Sequence, residues 1–299
     1  MYVITGATGH TGTIAAQSLL SGGHVVRVVG RSADRLRHLT SAGAEAFVGD
    51  LTDAEKLTQA FQGAQGVYVL VPPNISSNDV RSYQEQVSDA LATAVARSKV
   101  KFVVALSSIG ADKESGTGPV IGLHNLEQKL NRIDSANVLH LRAGYFMENT
   151  LGQVGAIRAM GFTGGPLRPD LKIAMIASRD IGTFIAEALI QLDFKGKQTR
   201  ELLGQRDLTM VEVAAIIGKA IGKPDLSYKP LPNEQFIAAL MQMGMSQNMA
   251  SLLVEMSDAL NSGHMRPLEP RSGRNTTPTS YETFVTEVFA PAFRQQAAA

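Results

Sequence analysis

Gly6-Ala7-Thr8-Gly9-His10-Thr11-Gly12 follows directly on the apolar run Val3–Ile4 and leads into a stretch with helical spacing at Ile14, Ser18 and Leu19. Each glycine of such a turn has a separate physical task. Gly6 permits the sharp exit from a strand, Gly9 lets backbone come close to a pyrophosphate, and Gly12 lets the helix pack tightly on the sheet. The helix N-terminus beyond them offers free N–H groups and the positive end of its dipole to phosphate oxygens. The run therefore predicts a dinucleotide site contacted by Gly6, Thr8, Gly9, His10, Thr11 and Gly12.

The residues about 20 positions further on decide which dinucleotide is favoured. A site for the unphosphorylated ribose ends its second strand with Asp or Glu, which bonds the 2′-hydroxyl. Here the chain reads Val28-Val29-Gly30-Arg31-Ser32, with no carboxylate before Asp34. A guanidinium at Arg31 forks onto a 2′-phosphate, and Ser32 or Arg35 adds to it, so the predicted cofactor is NADP(H). After the third strand, Gly49-Asp50-Leu51 places an acceptor for the adenine amino group at Asp50 and an apolar cover at Leu51. Asp53 reads equally well as a cap of the next helix. Val71-Pro72-Pro73 ends the fourth strand, where a stiff, donor-free segment either walls the ribose side or simply stops the strand.

Short β-branched runs at Val3–Ile4, Val25–Val29, Ala46–Val48, Val67–Val71, Phe102–Leu106 and Val138–Leu141 alternate with helical patterns such as Val80, Tyr83, Val87, Leu91 and Ala94. Nearly continuous apolar strands between helices predict an α/β fold with a doubly wound parallel sheet, of Rossmann type. All strand C-termini then lie on one edge. On this reading residues 1–150 form the cofactor domain, 172–192 return to it, and the rest of 151–299 makes a smaller, mainly helical lobe. Lys172–Ala177 reads as a further strand and Asp180 as the cap of the helix after it. Thr209-Met210-Val211-Glu212 and Thr279-Ser280-Tyr281-Glu282 read as capping boxes. Asn233–Met243 and Ser246–Leu260 read as helices, and Gly263–Pro278 as loop.

Composition excludes several function classes. The chain has 299 residues, 44% hydrophobic and 18% charged, with a formal net charge of +1. That balance predicts no nucleic-acid partner. No cysteine is present, so disulfides and thiolate chemistry are excluded. His10, His24, His38, His124, His140 and His264 are scattered without helical ligand spacing, which predicts no metal. The strand at the N-terminus leaves no room for a signal peptide, and no apolar run approaches the ~18 residues that span a bilayer. The expectation is a cytoplasmic protein with no membrane contact.

The turn Gly6–Gly12, Gly30-Arg31, Gly49-Asp50-Leu51, Ser107-Ser108 and above all Leu141-Arg142-Ala143-Gly144-Tyr145-Phe146-Met147-Glu148-Asn149 resemble the NmrA-like family of atypical short-chain dehydrogenases/reductases. The resemblance runs nearly the full length, since Asp180–Leu189 and Leu208–Gly222 also match. It implies a Rossmann domain with a small C-terminal lobe, and a substrate or partner in the cleft between them. Family members include NAD(P)H-dependent quinone and dye reductases, and redox-sensing regulators that bind dinucleotide without turning it over. Ser107 and Ser108 end the fifth strand and Gly144–Asn149 follows the sixth, so both emerge on the edge that carries the glycine turn. Ser107 is thus a candidate cofactor contact. Ser108, Tyr145, Phe146 and Asn149 are candidate substrate contacts, with Tyr145, Phe146 and Met147 as an apolar floor for a flat ring.

Short-chain dehydrogenases that reduce simple carbonyls use a Tyr-x-x-x-Lys pair as tuned proton donor. The corresponding segment here, Gly122-Leu123-His124-Asn125-Leu126-Glu127-Gln128-Lys129-Leu130, has no tyrosine; His124 and Gln128 occupy that spacing. His124 is either a substitute donor or a structural histidine. Without a tuned acid, acceptors whose reduction yields a stabilised product are favoured. The sequence therefore predicts an NADPH-dependent reductase of quinone-like or other electron-poor aromatic acceptors, acting on a small aromatic substrate. The alternative is a non-catalytic NADP(H) sensor that binds a protein partner, with Leu240-Met241-Gln242-Met243-Gly244-Met245 as an adaptable surface or as buried packing.

Overall fold

Residues 1–295 are described by the structure, a computed structural model; the alanine tail at 297–299 lies outside them. The first half runs β1 (Tyr2–Ile4), α1 (His10–Ser21), β2 (Val26–Gly30), α2 (Ala33–Thr40), β3 (Glu45–Val48), α3 (Ala54–Phe61), β4 (Gly66–Val69), α4 (Val80–Ser98), β5 (Phe102–Ser108), α5 (Ile121–Asn131) and β6 (Asn137–Ala143). The second half adds β7 (Tyr145–Phe146), α6 (Gln153–Met160), β8 (Thr163–Gly165), β9 (Ile173–Ile176), α7 (Ser178–Gln191), β10 (Lys197–Leu202), β11 (Asp207–Leu208), α8 (Met210–Ile221), β12 (Tyr228–Pro230), α9 (Asn233–Gln242) and α10 (Gln247–Asn261). After a loop, α11 (Tyr281–Phe284) continues through a π-helical turn into α12 (Ala290–Gln295).

The main sheet has the order β10-β6-β5-β4-β1-β2-β3. All its strand pairs are parallel. The chain winds outward from β1 to β3 on one side and from β4 to β10 on the other, so the strand order reverses between β1 and β4. A crevice opens there at the C-terminal strand ends, the place where open α/β sheets hold ligands. Successive residues of one strand face opposite layers. Thus Ile4 packs with Leu19, Val28, Ile181 and Leu189, whereas Val3 packs with Leu57, Val67, Leu91 and Leu126. Helix α7 returns to the α1 face of the sheet, and the approach is close: a Cβ on Gly182 would lie 2.7 Å from Cβ of Ile14.

Six of the seven main strands fall where the apolar runs predict them. The seventh, β10, was not expected. Its sequence Lys197-Gln198-Thr199-Arg200-Glu201-Leu202 carries the polar residues an edge strand tolerates and hides the apolar signal. The strand expected over 172–177 exists as β9, but it joins a separate three-stranded sheet, β11-β9-β7, rather than the main one. Asp180 does not cap α7. The helix begins at Ser178, and the Asp180 carboxylate accepts from the backbone N–H and hydroxyl of Thr279. The capping box at Thr209 and Glu212 is present in both directions. The second box is displaced by one residue: Ser280, not Thr279, caps α11 by accepting from the N–H of Thr283. Thr279 is drawn away by Asp180. Among the described residues no helix is long and apolar enough to cross a membrane.

Candidate functional site

The crevice at the strand-order reversal is a cavity of about 830 Å³. It begins at the glycine turn and passes Leu70–Pro73 beyond β4, then Leu106–Ile109 at the end of β5. It ends at Ala143–Phe146 and the segment Leu171–Ala174. Met249, Met256 and Leu260 of α10, with Met265, line it as well.

The turn is built as its residue types require. Gly6 has a left-handed φ of 57°, and a Cβ there would sit 2.5 Å from Leu70. A Cβ on Gly12 would meet the Gly6 carbonyl oxygen at 2.5 Å and its carbon at 2.9 Å, so helix and turn touch through backbone alone. Gly9 differs: a Cβ there would meet only the Gly6 oxygen at 3.3 Å and otherwise project into open space. Gly9 is also the N-cap of α1, without a side-chain cap and with no acidic residue in the first turn. That leaves an uncapped positive helix end and a cradle that a side chain would fill. Thr8 and His10 line the cavity beside it. The Thr11 hydroxyl does not serve the cavity; it is paired with the buried Tyr68 hydroxyl at 2.9 Å, which leaves the Thr11 backbone as the contact.

On the β2 side, Arg35 lines the cavity and Arg31 stands exposed at the strand end. Neither enters an ion pair among the described residues, and Ser32, the N-cap of α2, makes no side-chain cap bond. Three donors at the end of β2 are therefore uncommitted. Asp50 is tied locally, accepting from the backbone N–H and hydroxyl of Thr52 at 2.9 and 2.7 Å. Partial burial acts to raise its carboxyl, but the two Thr52 bonds and the nearby Arg31 charge outweigh that and hold it below the ordinary range. Asp50 and Leu51 do not line the cavity; Val71 and Pro72 do. Asp53 caps α3, accepting from the Lys56 N–H.

At the far end, Ser107 and Ser108 both line the cavity, yet both hydroxyls are committed. Ser107 donates to Glu127 at 2.5 Å, and Ser108 donates to the Ile109 carbonyl at 3.0 Å. Glu127, 3% exposed, also receives two bonds from Arg142, at 3.0 and 2.7 Å. Its placement on α5 was not signalled by any motif. Tyr145, Phe146 and Asn149 line the cavity. Burial pushes the Tyr145 phenol up to about 12, opposed by a hydrogen bond with Asn149, so it stays protonated near neutrality. His124 points elsewhere. Its Nδ1 lies 2.9 Å from the Ala111 carbonyl, and the residue does not line the cavity.

Sequence reasoning missed the methionine wall. Met249, Met256 and Leu260 share one face of α10, but that spacing is indistinguishable from ordinary core packing before the fold is known. Met241 and Met243 of the 240–245 stretch are exposed, while Met245 packs against Val80, Met249 and Leu252. Among the described residues no group of His, Asp or Glu is placed to hold a metal.

The model of the NmrA-like family matches residues 2–286. This chain belongs to that family. It is 30% identical over 261 residues to quinone oxidoreductase 2 of Escherichia coli, covering 85% of this chain and 86% of that one. Among solved structures, the NADPH-dependent quinone oxidoreductase of E. coli complexed with NADPH superposes with a TM-score of 0.80 at 26% identity, covering 97% of this chain and all of the other. The triphenylmethane reductase of Citrobacter sp. complexed with NADP(H) superposes at 0.81 with 18% identity, over 96% and 99% of the two chains, a likeness of fold.

Proposed function

We propose that this protein is an NADPH-dependent reductase of quinone-like acceptors. The observation that carries the reading is a single continuous cavity. It joins a glycine cradle and an uncapped helix terminus at one end to a mainly apolar chamber at the other. On this reading Gly6, Thr8, Gly9, His10 and the backbone of Thr11 hold the pyrophosphate. Arg31, Ser32 and Arg35 take the 2′-phosphate, Asp50 and Leu51 flank the adenine, and Val71 and Pro72 wall the ribose. The oxygen of Ser107 faces the nicotinamide as an acceptor, since its proton is directed to Glu127. Residues 1–143 with α7 and β10 then act as the cofactor domain and most of the remainder as the acceptor lobe. The names of the E. coli relatives support both the cofactor and the acceptor class.

When bound, NADPH supplies a hydride, and one further proton completes the conversion of a quinone to its hydroquinone. No strong acid is needed for a product whose oxygens are stabilised by the aromatic ring. What the chain supplies is proximity, orientation and exclusion of bulk water. Tyr145, Phe146, Ser108 and Asn149 form the acceptor side, with Met249, Met256 and Met265 facing them. Methionine suits a wall that must fit flat rings of differing outline. Anaerobic single-turnover mixing of the NADPH-loaded protein with menadione tests the proposal. One hydroquinone per NADPH consumed is expected; NADPH that persists unchanged across a panel of quinones would overturn it.

A further inference from the structure

The acceptor end of the cavity carries an unbalanced charge. The glycine turn and Arg35 line the cavity on the β1–β2 side; Lys172 stands two residues before Ala174, which packs against Gly144 after β6, and Arg266 directly follows Met265, which packs against Gly110 after β5. Neither Lys172 nor Arg266 enters an ion pair among the described residues, although the Lys172 charge is felt by Glu212. Among the described residues Glu148 is the one carboxylate that lines the cavity; it is held by the backbone N–H and hydroxyl of Ser178, and Lys172 and Arg266 outnumber it.

Arg266 does not sit on a loose loop. On one side Met265 is buried, its N–H donating to the Ala259 carbonyl at 2.9 Å. Gly110 beneath it has a φ of 91°, and a Cβ there would lie only 2.7 Å from the Met265 side chain. On the other side the backbone N–H groups of Leu268 and Glu269 both donate to Glu201, a carboxylate only 2% exposed. The strap is thus pinned at both ends, and the two residues left between the pins, Arg266 and Pro267, line the cavity. Arg266 and Lys172 are both solvent-exposed, and each stands at the cavity without an ion-pair partner among the described residues, so their charges are free to attract an anion there, an attraction that salt screens.

We propose that Arg266, assisted by Lys172, makes the chamber selective for electron-poor aromatic acceptors that carry an acidic group, such as hydroxylated or sulfonated naphthoquinones, over cationic dyes. This rests on the reductase reading above and refines its substrate class. The same pair of cations disfavours a triarylmethane cation by like-charge repulsion.

The test compares an anionic acceptor, 2-hydroxy-1,4-naphthoquinone, with neutral menadione and a cationic triarylmethane dye, in wild type, Arg266→Gln and Arg266→Glu. The expected result is a KM ratio, anionic over neutral, that rises tenfold or more in Arg266→Glu and by less in Arg266→Gln. In wild type the ratio should rise toward that of Arg266→Gln as salt is raised. Calorimetric binding of the anionic naphthoquinone to the NADP⁺-loaded protein gives a readout free of turnover. If no acceptor oxidises NADPH but the anion binds and Arg266→Glu weakens it, the reductase reading fails while the charge selectivity stands. If quinones turn over with KM ratios indifferent to Arg266 and to salt, the selectivity fails and the reductase reading survives.

Discussion

Gly9 and Gly12 lie three residues apart, yet replacing each by alanine should have different consequences. At Gly12 the added Cβ would sit 2.5 Å from the Gly6 carbonyl oxygen and 3.1 Å from Cα of Ala7, both backbone atoms that cannot turn aside. Alanine in a helix is otherwise better than glycine by about 1 kcal/mol, which alone would stabilise α1. Overpacking a rigid contact costs about 1–3 kcal/mol, so the steric loss should win and Gly12→Ala should melt earlier. At Gly9 the φ of −93° suits any residue and the only close neighbour is the Gly6 oxygen at 3.3 Å. Gly9→Ala should therefore keep its melting temperature. Its methyl group projects into the cradle, however, and should weaken NADPH by at least about tenfold, equivalent to about 1.4 kcal/mol. Thermal melting without ligand and a fluorescence titration with NADPH separate the two effects. A Gly9→Ala protein that binds NADPH as tightly as wild type would refute the placement of the pyrophosphate.

Arg31→Asp should weaken NADPH by roughly 10- to 100-fold while leaving NADH affinity within a few-fold, because a charged hydrogen bond of about 1.5–3 kcal/mol is removed from one ligand only. Titrating both coenzymes checks this; parallel losses would contradict it. Glu127→Leu leaves the Arg142 side chain, 12% exposed, without its counter-charge. Removal of one buried partner should destabilise by about 3–5 kcal/mol in urea unfolding, and Glu127→Leu combined with Arg142→Met should recover much of it. His140 is neutral in the fold: burial lowers it from 6.5 to about 4, outweighing the pull of Glu127, and its Nδ1 has no partner to receive a proton's hydrogen bond. A folded pKa below the unfolded one means that the unfolded chain binds more protons between those values. His140 should therefore contribute no penalty above about pH 6.5 and destabilise increasingly as pH falls toward 4, by on the order of 3 kcal/mol. Chemical unfolding from pH 7 to 4 should show that loss, and His140→Leu should flatten it; an equal slope in both proteins would count against it.

The glycine turn that lines one end of the cavity was legible in the sequence because its determinants are local. Gly6, Gly9 and Gly12 lie within one turn, and Arg31 follows directly on a recognisable strand. The parallel sheet was legible for the same reason: Val3–Ile4, Val67–Val69 and Val103–Ala105 are apolar on both faces, and few folds bury such strands. What escaped was set by distant partners. Thr11 and Ser107 look like free hydroxyls in the sequence, but the Tyr68 hydroxyl and the Glu127 carboxylate, 57 and 20 residues away, are hydrogen-bonded to them. The same holds for Asp180, whose carboxylate answers Thr279 across 99 residues rather than capping its own helix. Strand β10 was hidden by its polar edge residues. The wall of Met249 and Met256 had an amphipathic pattern that fits any packed helix, and only the fold shows that this face borders a cavity.

Stereospecifically deuterated NADPH offers the most direct test of hydride delivery across this cavity. The protein is given the 4R- and then the 4S-deuterated coenzyme with menadione, and the NADP⁺ formed is weighed by mass spectrometry. Direct transfer from a coenzyme held with one ring face toward Tyr145 and Phe146 predicts complete loss of deuterium from one isomer, full retention from the other, and a primary isotope effect on the single-turnover rate. Equal loss from both isomers, or no oxidation of either, would contradict the account.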